Sequence, residues 1–124
     1  MILANIINTK IVYYSNMKKE SEELKLFILE CLNEKKAEDI DVIDLSGKNK
    51  IADYLIFANG RSTKNVGAIA EYVTLELKNK AGISTNIEGL GKSEWVLIDA
   101  GTILVNIFYP EARTHFKLEE IWKK

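Results

Sequence analysis

Apolar residues recur at helical spacing in two segments of the chain. Over residues 18–36 they fall every three or four positions, with glutamates early and lysines late, which suits the helix dipole. A second such segment follows Asn59-Gly60, where Ser62 or Thr63 can cap a helix that Gly82 ends. The pattern predicts two amphipathic helices, whose apolar stripes are Leu24, Phe27, Ile28, Cys31 and Leu32 in the first and Val66, Ile69, Ala70, Val73 and Leu77 in the second.

Short runs rich in β-forming residues predict the strands. Two of these runs follow each other as a hairpin around Asp99-Ala100-Gly101-Thr102. Pro110 then begins a short helical turn, and the terminal KLEEIW predicts a last helix. The predicted strands are residues 40–45, 54–58, 83–89, 95–98 and 103–108.

The order of these elements, α-β-β-α-β-β-β-α, predicts one mixed sheet with helices packed on it. The strand–helix–strand crossover in the middle of the chain predicts a right-handed parallel pair of strands. The hairpin predicts an antiparallel edge. We therefore expect an α/β or α+β fold in two or three layers, with a single mixed β-sheet of about five strands.

The two strands of the hairpin are apolar on both faces. Trp95 and Leu97 share one face of their strand, and Val96 and Ile98 share the other. Such a strand is either covered by helices on both faces, or packed on the core with one face and on a partner with the other. Asn106 interrupts an apolar row of the return strand. Because a buried amide needs hydrogen-bond partners, we expect it near solvent or at an interface.

Composition and charge narrow the class of protein. The 124 residues are 47% hydrophobic and 28% charged, a normal balance for one domain. A net charge of −1 argues against a protein held to bare nucleic acid by bulk charge. Cys31 is the only cysteine, which excludes an intrachain disulfide, agrees with a reducing cytoplasm, and is expected to be buried on its apolar stripe. No apolar run approaches the roughly 20 residues of a membrane span.

The first sixteen residues are mildly apolar but lack the basic start, long apolar stretch and cleavage site of a secretory signal. We expect residues 1–16 to be a disordered or dispensable extension, with Met17 as a candidate natural start. Residues 17–124 are expected to form a single domain.

The stretch ANGRSTKN, residues 58–65, predicts a strand end, a glycine turn and a helix N-terminus. Free backbone N–H groups there could hold an anion, with Arg61 and Lys64 beside them. The phosphate-binding patterns G-x-x-x-x-G-K-[ST] and G-x-G-x-x-G are absent. Capping by Ser62 or Thr63 is a sufficient role, so capping alone and an anion or partner contact both stay open.

Carboxylates and the single histidine are the candidates for catalysis. A nucleotidyltransferase groups acids that hold metal ions, and strand alternation would place Asp39 and Asp41 on one face. These acids precede the turn at Gly60, the reverse of the order expected for that superfamily, and Asp44 breaks the alternation. His115 is the only base for a Ser or Cys nucleophile, and a structural role is sufficient for it. We therefore expect no catalytic residue and no metal.

Four segments in order resemble one known family. They are ADYLIFANGRSTKNVGAIAEYV, IEG, EWVLIDAGTILVNIFYPEAR and a terminal F-x-LEEIW. Their order and spacing, over roughly residues 20–123, resemble the ribosomal silencing factor family, also called RsfS or Iojap. The resemblance implies a fold similar to nucleotidyltransferases but without their catalytic groups, no enzymatic activity and no cofactor.

The same resemblance implies a function on the ribosome. Family members bind ribosomal protein L-fourteen on the large subunit, sterically block association with the small subunit, and repress translation, notably under nutrient limitation. Organellar relatives act in large-subunit assembly. For this chain we expect the large subunit as partner, in the cytoplasm, with neither a membrane nor free nucleic acid as the main target. A large-subunit assembly factor and a metal-dependent nucleotidyltransferase-like enzyme are the alternatives, and a homodimer stays open.

The family pattern Trp-x-Leu-x-Asp-x-Gly falls on Trp95, Leu97, Asp99 and Gly101. The resemblance implies that Trp95 is an apolar anchor, that Asp99 makes a polar contact at its rim, and that Gly101 shapes the turn. Family members commonly carry an acid where Thr102 stands and a histidine where Asn106 stands, so the finer contacts are expected to differ. The other candidate partner-binding residues are Arg61, Ser62, Lys64, Glu88, Ala100 and Asn106.

Overall fold

A computed structural model describes residues 20–45, 51–117 and 119–120 of the chain. The predictions for residues 1–16, for the loop at 46–50 and for most of KLEEIW lie outside them, although residues 119 and 120 are helical. Among the described residues, no helix is long and apolar enough to cross a membrane. The elements are α1 (residues 20–34), β1 (Glu38–Asp44), β2 (Tyr54–Asn59), α2 (Thr63–Ala81), β3 (Asn86–Glu88), β4 (Trp95–Asp99), β5 (Ile103–Phe108) and α3 (Pro110–Phe116).

The ends of α2 are set by side-chain and backbone caps. Ser62 has extended backbone angles, and its hydroxyl oxygen accepts the backbone N–H of Asn65 at 3.0 Å. This bond satisfies one of the N–H groups that have no partner inside the helix. At the other end Gly82 adopts the left-handed conformation and its N–H donates to the carbonyl of Leu77. The predicted boundaries of this helix are confirmed.

The five described strands form one mixed sheet in the order β1-β2-β5-β4-β3. The mixed α/β fold class is confirmed, but two predictions of topology are wrong. The parallel partner of β2 is β5, not the next strand in the chain, and the hairpin of β4 and β5 lies inside the sheet, not at its edge. The reason is burial: five of the six residues of β5 are buried and it takes the centre between β2 and β4, whereas β3 has only three residues, none of them fully buried, and takes an edge.

A bulge interrupts the other edge strand, β1. Glu38 pairs with Asn59 and Asp41 pairs with Phe57, so two residues of β1 stand opposite one residue of β2. Asp39 lies in this interval with a positive φ of 50°. The alternation that predicted Asp39 and Asp41 on one face therefore does not hold, because it assumed a regular strand.

One face of the sheet is covered by α1 and α2, whose apolar stripes pack on alternate residues of β2, β4 and β5. Cys31 belongs to this core and is only 4% exposed. Burial, and then the nearby charge of Glu34, raises the pKa of its thiol to about 11. The prediction of a buried cysteine is confirmed. The core members are Ile28, Cys31, Leu32, Tyr54, Ile56, Ala58, Val66, Ile69, Ala70, Val73, Leu77, Val96, Ile98, Ala100, Ile103, Val105 and Ile107.

The opposite side of the sheet, called here the second face, carries a smaller apolar cluster. Its buried members come from β2, β5 and the segments that flank β2, and Ala112 of α3 packs against them. Trp95 and Leu104 are only partly buried in this cluster. The buried members are Leu45, Ala52, Leu55, Phe57 and Phe108.

Candidate partner-docking surface

The strand register defines which side chains share the second face. Directly paired residues lie on the same side of a sheet. One row across the strands is therefore Phe57, Asn106, Leu97 and Glu88, in β2, β5, β4 and β3. Neighbouring rows place Phe108 beside Trp95, and Leu104 beside Asp99 and Asn86. The hairpin thus buries Val96 and Ile98 under the helices and turns Trp95, Leu97 and Asp99 to the second face.

Four aromatic rings form a stack on this face, here called the aromatic stack. Phe57 and Phe108 are parallel within 6° at 6.2 Å between centroids, and Phe108 and Trp95 within 16° at 5.7 Å. Phe116 of α3 lies tilted against Trp95 at 5.2 Å. Burial decreases along the stack: Phe57 and Phe108 are 1% exposed, Trp95 is partly buried, and Phe116 is 44% exposed. The stack connects the buried cluster to the surface.

Asn106 is buried within this chain, so a position near solvent is wrong, whereas the alternative position at an interface stays a prediction. Asn106 is 6% exposed, and its side-chain oxygen accepts the indole Nε1–H of Trp95 at 3.0 Å. The two residues are diagonal neighbours on one face, since Trp95 pairs with Phe108 and Asn106 pairs with Leu97. The polar partner that a buried amide requires is supplied by the tryptophan.

The hairpin turn separates core residues from exposed ones. Asp99 is exposed, and its carboxylate accepts the backbone N–H of Gly101 at 2.9 Å. Gly101 is exposed with a φ of 88°, which agrees with its expected role in shaping the turn. Ala100 is 5% exposed and packs in the core beneath the helices. Ala100 was predicted to contact the partner, but it is a core residue.

Arg61, Ser62 and Lys64 lie at the other end of β4 from Asp99. They follow β2, whose last residue pairs with Phe108, and the backbone N–H of Gly60 donates to the Phe108 carbonyl at 2.9 Å. Trp95 and Asp99 are four residues apart, about 13 Å along a strand. The structure therefore brings Trp95, Leu97, Asp99, Asn106 and Glu88 onto one face, and it places the α2 N-terminus at the end of the sheet near Trp95.

Two roles predicted for the α2 N-terminus can be compared with its contacts. The Ser62 hydroxyl is used as the helix cap, and the backbone N–H of Arg61 donates to the side chain of Asn65 at 2.9 Å. The capping role of Ser62 is confirmed. The side chains of Arg61 and Lys64 are exposed and keep their candidate role as flanking contacts.

Phe116 belongs to this surface but is not among the residues predicted for it. It shares one face of α3 with Ala112, four residues earlier, and both side chains pack on the second face. This four-residue spacing is visible in EARTHF and could have indicated that α3 is amphipathic. His115 is exposed and contacts the Phe116 ring edge-on at 5.3 Å.

Arg113 holds α3 against the end of the sheet. Its Nε and Nη2 donate to the two carboxylate oxygens of Glu119 at 2.5 and 2.9 Å. Its Nη1 donates to the backbone carbonyl of Asp39 at 2.6 Å and to the side-chain oxygen of Asn59 at 3.0 Å. These residues line a cleft of about 500 Å³. Because every guanidinium nitrogen already has an acceptor, we assign Arg113 a structural role in this cleft.

The acids of β1 do not form a metal site with other described residues. No group of three or more His, Cys, Asp or Glu that could hold a metal ion occurs within residues 20–45, 51–117 and 119–120. The Asp39 carboxylate accepts a hydrogen bond from the Asn59 amide at 3.3 Å.

Comparison with known proteins gives the family. Residues 18–124 match the family described as RsfS, ribosomal silencing factor during starvation. The chain belongs to the ribosomal silencing factor family. A Zymomonas mobilis ribosomal silencing factor is 39% identical over 103 residues, which cover 83% of this chain and 77% of that protein. The Bacillus subtilis ribosomal silencing factor is 37% identical over 103 residues, 80% of this chain and 83% of that protein.

Two further relatives are a mitochondrial protein with a named role and a protein of known structure. A mouse protein named mitochondrial assembly of ribosomal large subunit protein 1 is 28% identical over 98 residues, 77% of this chain and 43% of its own length. A crystal structure of a Chromobacterium violaceum protein is 33% identical with a TM-score of 0.78, and the match covers 82% of this chain and 85% of that one. The described fold is thus similar to that of a solved relative.

Proposed function

We propose that this ribosomal silencing factor docks on the large ribosomal subunit with the second face of its sheet. The docking surface in this proposal is Trp95 and Leu97 at the centre, Phe116 beside Trp95, and the acids Asp99 and Glu88 at the rim. In the finer form of the proposal, the contacted component is ribosomal protein L-fourteen, and the bound factor sterically blocks association with the small subunit and so represses translation.

The difference between the two faces of β4 carries the proposal. Val96 and Ile98 are completely buried under the helices, whereas Trp95 and Leu97 are only partly buried by this chain. Partly exposed aromatic and aliphatic side chains beside a closed core are typical of the centre of a protein interface. Because the family is that of ribosomal silencing factors, the ribosome is the partner that this surface is proposed to meet.

The polar rim favours a protein partner over ribosomal RNA. Asp99 and Glu88 are exposed on the second face, and the whole chain carries a net charge of −1. Carboxylates repel phosphates and attract basic protein surfaces, which steers association and suppresses wrong contacts. A basic ribosomal protein is therefore the kind of component that fits this surface.

The proposal is tested by co-sedimentation of the purified chain with isolated large subunits, small subunits and joined ribosomes. Wild type should sediment with large subunits only. Trp95→Ala should weaken this binding by about 2 kcal/mol or more, roughly 30-fold, because a central anchor is removed. Leu75→Ala is the matched control, since Leu75 is an aliphatic residue of α2 that is 55% exposed, away from the second face.

Thermal unfolding must accompany the binding data, because Trp95 also packs on Phe108. A folded Trp95→Ala that binds like wild type contradicts the docking role of the second face. Equal losses for Trp95→Ala and Leu75→Ala contradict it as well, since the effect would then not be local.

The finer form needs two further measurements. Purified L-fourteen should bind wild type and should lose affinity for Trp95→Ala in parallel with the whole large subunit. Added wild type should also lower the fraction of joined ribosomes on a gradient when subunits are mixed. If wild type binds large subunits but not purified L-fourteen, the named component is wrong. If it binds large subunits without lowering the fraction of joined ribosomes, the steric block is wrong. The docking surface stands in both cases.

A role in large-subunit assembly is the second candidate, favoured by the name of the mouse relative. Both roles use the same docking surface, so binding data do not separate them. Deletion of the gene should impair survival in stationary phase if the protein silences translation. Accumulation of precursor large subunits during growth would instead favour assembly.

A further inference from the structure

Within the part of the chain that the structure describes, one directional side-chain bond orients the Trp95 indole. Stacking on Phe108 at 5.7 Å fixes the plane of the indole but does not distinguish two orientations related by a half-turn within the stack. The contact with Phe116, tilted by 45°, is also made through ring faces and edges. Among the contacts of Trp95 with other described residues, the bond from Nε1 to the Asn106 oxygen, 3.0 Å long, is the one that requires one edge of the indole to point inward along the sheet.

The acceptor occupies a position where an apolar residue would suit folding better. Asn106 lies between Phe57 and Leu97 in its row and is 6% exposed. Burying an amide is unfavourable, and one hydrogen bond returns only part of that cost. Local choices that oppose folding stability are expected at functional positions.

We propose that Asn106 is a positioning residue that presents the Trp95 indole to the ribosomal partner in its docking orientation. This inference rests on the proposed function. An indole already held in one orientation loses less conformational entropy on binding, so the complex is tighter without any new contact. Asn106 itself is buried and acts through Trp95.

The test separates folding from docking with Asn106→Leu. Leucine has a similar size and removes a buried amide, but it also leaves the Trp95 Nε1–H without its acceptor, so the two effects offset each other and the variant should unfold close to the wild-type temperature. Its affinity for isolated large subunits should fall about fivefold to tenfold, in line with the cost of ordering one large side chain. Binding would then fall without a matching loss of stability, which a purely structural residue does not produce.

A double-mutant cycle with Trp95→Phe shows whether the effect passes through the indole N–H. Phenylalanine keeps an aromatic ring but has no N–H donor. The loss caused by Asn106→Leu should therefore disappear in the Trp95→Phe background. Asn106→Val, which suits a central strand, is the second variant if leucine does not fit.

Nuclear magnetic resonance supplies a readout in the free protein. The indole N–H signal that vanishes in Trp95→Phe belongs to Trp95, and its exchange with solvent should accelerate in Asn106→Leu. Unchanged exchange overturns the positioning role, as does unchanged affinity, or an equal loss of affinity in both backgrounds. If wild type itself fails to bind large subunits, both the proposed function and this inference are wrong. Wild-type binding with unchanged affinity of Asn106→Leu contradicts this inference alone.

Discussion

Gly89 follows β3 beside Trp95, and Gly101 lies in the turn after β4; the two glycines have similar backbone angles in different surroundings. Gly89 has a φ of 93° and Gly101 a φ of 88°, a region that L side chains rarely adopt. A Cβ at Gly89 would lie 2.2 Å from the Trp95 carbonyl oxygen, whereas a Cβ at Gly101 would meet nothing within 4 Å. An alanine at either position therefore meets backbone strain, but only an alanine at Gly89 also meets steric overlap.

We expect Gly101→Ala to lower the free energy of unfolding by about 1–2 kcal/mol, the cost of a left-handed backbone alone. Gly89→Ala should cost roughly 1–3 kcal/mol more, because the backbone of Trp95 must move to relieve the overlap. Denaturant unfolding of both variants measures the difference. Equal losses would mean that the close approach of Gly89 to Trp95 does not exist in solution.

The roles of single residues were predictable where they depend on local chemistry. The apolar stripe around Cys31, the Ser62 cap and the turn at Gly101 follow from short-range patterns, and their contacts agree. The environment of Asn106 was not predictable, because its partner Trp95 comes from another strand and only the register brings the two together. A sequence shows that an amide interrupts an apolar row, but not which donor reaches it.

At the scale of elements, the N-terminus of α2 combines a structural role with a candidate contact. Ser62→Ala should lower the free energy of unfolding by about 1 kcal/mol, because the Asn65 N–H loses its acceptor. Ser62→Asn should keep stability, since asparagine caps as well as serine. Both variants should bind large subunits like wild type if capping is the whole role of this hydroxyl.

Chemical denaturation and co-sedimentation of the two Ser62 variants check these expectations together. A stable Ser62→Asn that binds weakly would instead show a direct contact of Ser62 with the partner. Arg61→Ala and Lys64→Ala then become the next variants, because both side chains are exposed beside the cap.

Strand existence was easier to predict than strand order. Runs of β-forming residues located the five strands that the structure describes, with the third shortened to Asn86–Glu88. Pairing depends on contacts between distant parts of the chain, so the parallel β2–β5 pair and the central place of the hairpin required the burial of whole strands to be known. The bulge at Asp39 and the packing of α3 on the second face escaped prediction for the same reason.

At the scale of the whole molecule, the two sides of the sheet have different roles. The helix-covered side contains the larger core and holds the strands in register. On the second face, the side chains of Phe57 and Phe108 are buried, that of Trp95 is partly buried, and that of Phe116 is exposed. A rigid core beneath a partly exposed aromatic surface keeps the anchor in place, which limits the entropy lost on binding.

Charge on the second face should act locally rather than through the net charge of the protein. Glu88→Lys and Glu71→Lys each change the net charge from −1 to about +1, but Glu88 is exposed on β3 beside Leu97 and Glu71 is exposed on α2. Glu88→Lys should slow association with large subunits about threefold or more at low salt, and added salt should reduce the difference. Glu71→Lys should associate like wild type. If both variants bind faster, bulk attraction to ribosomal RNA dominates and a basic protein surface is not the partner of this face.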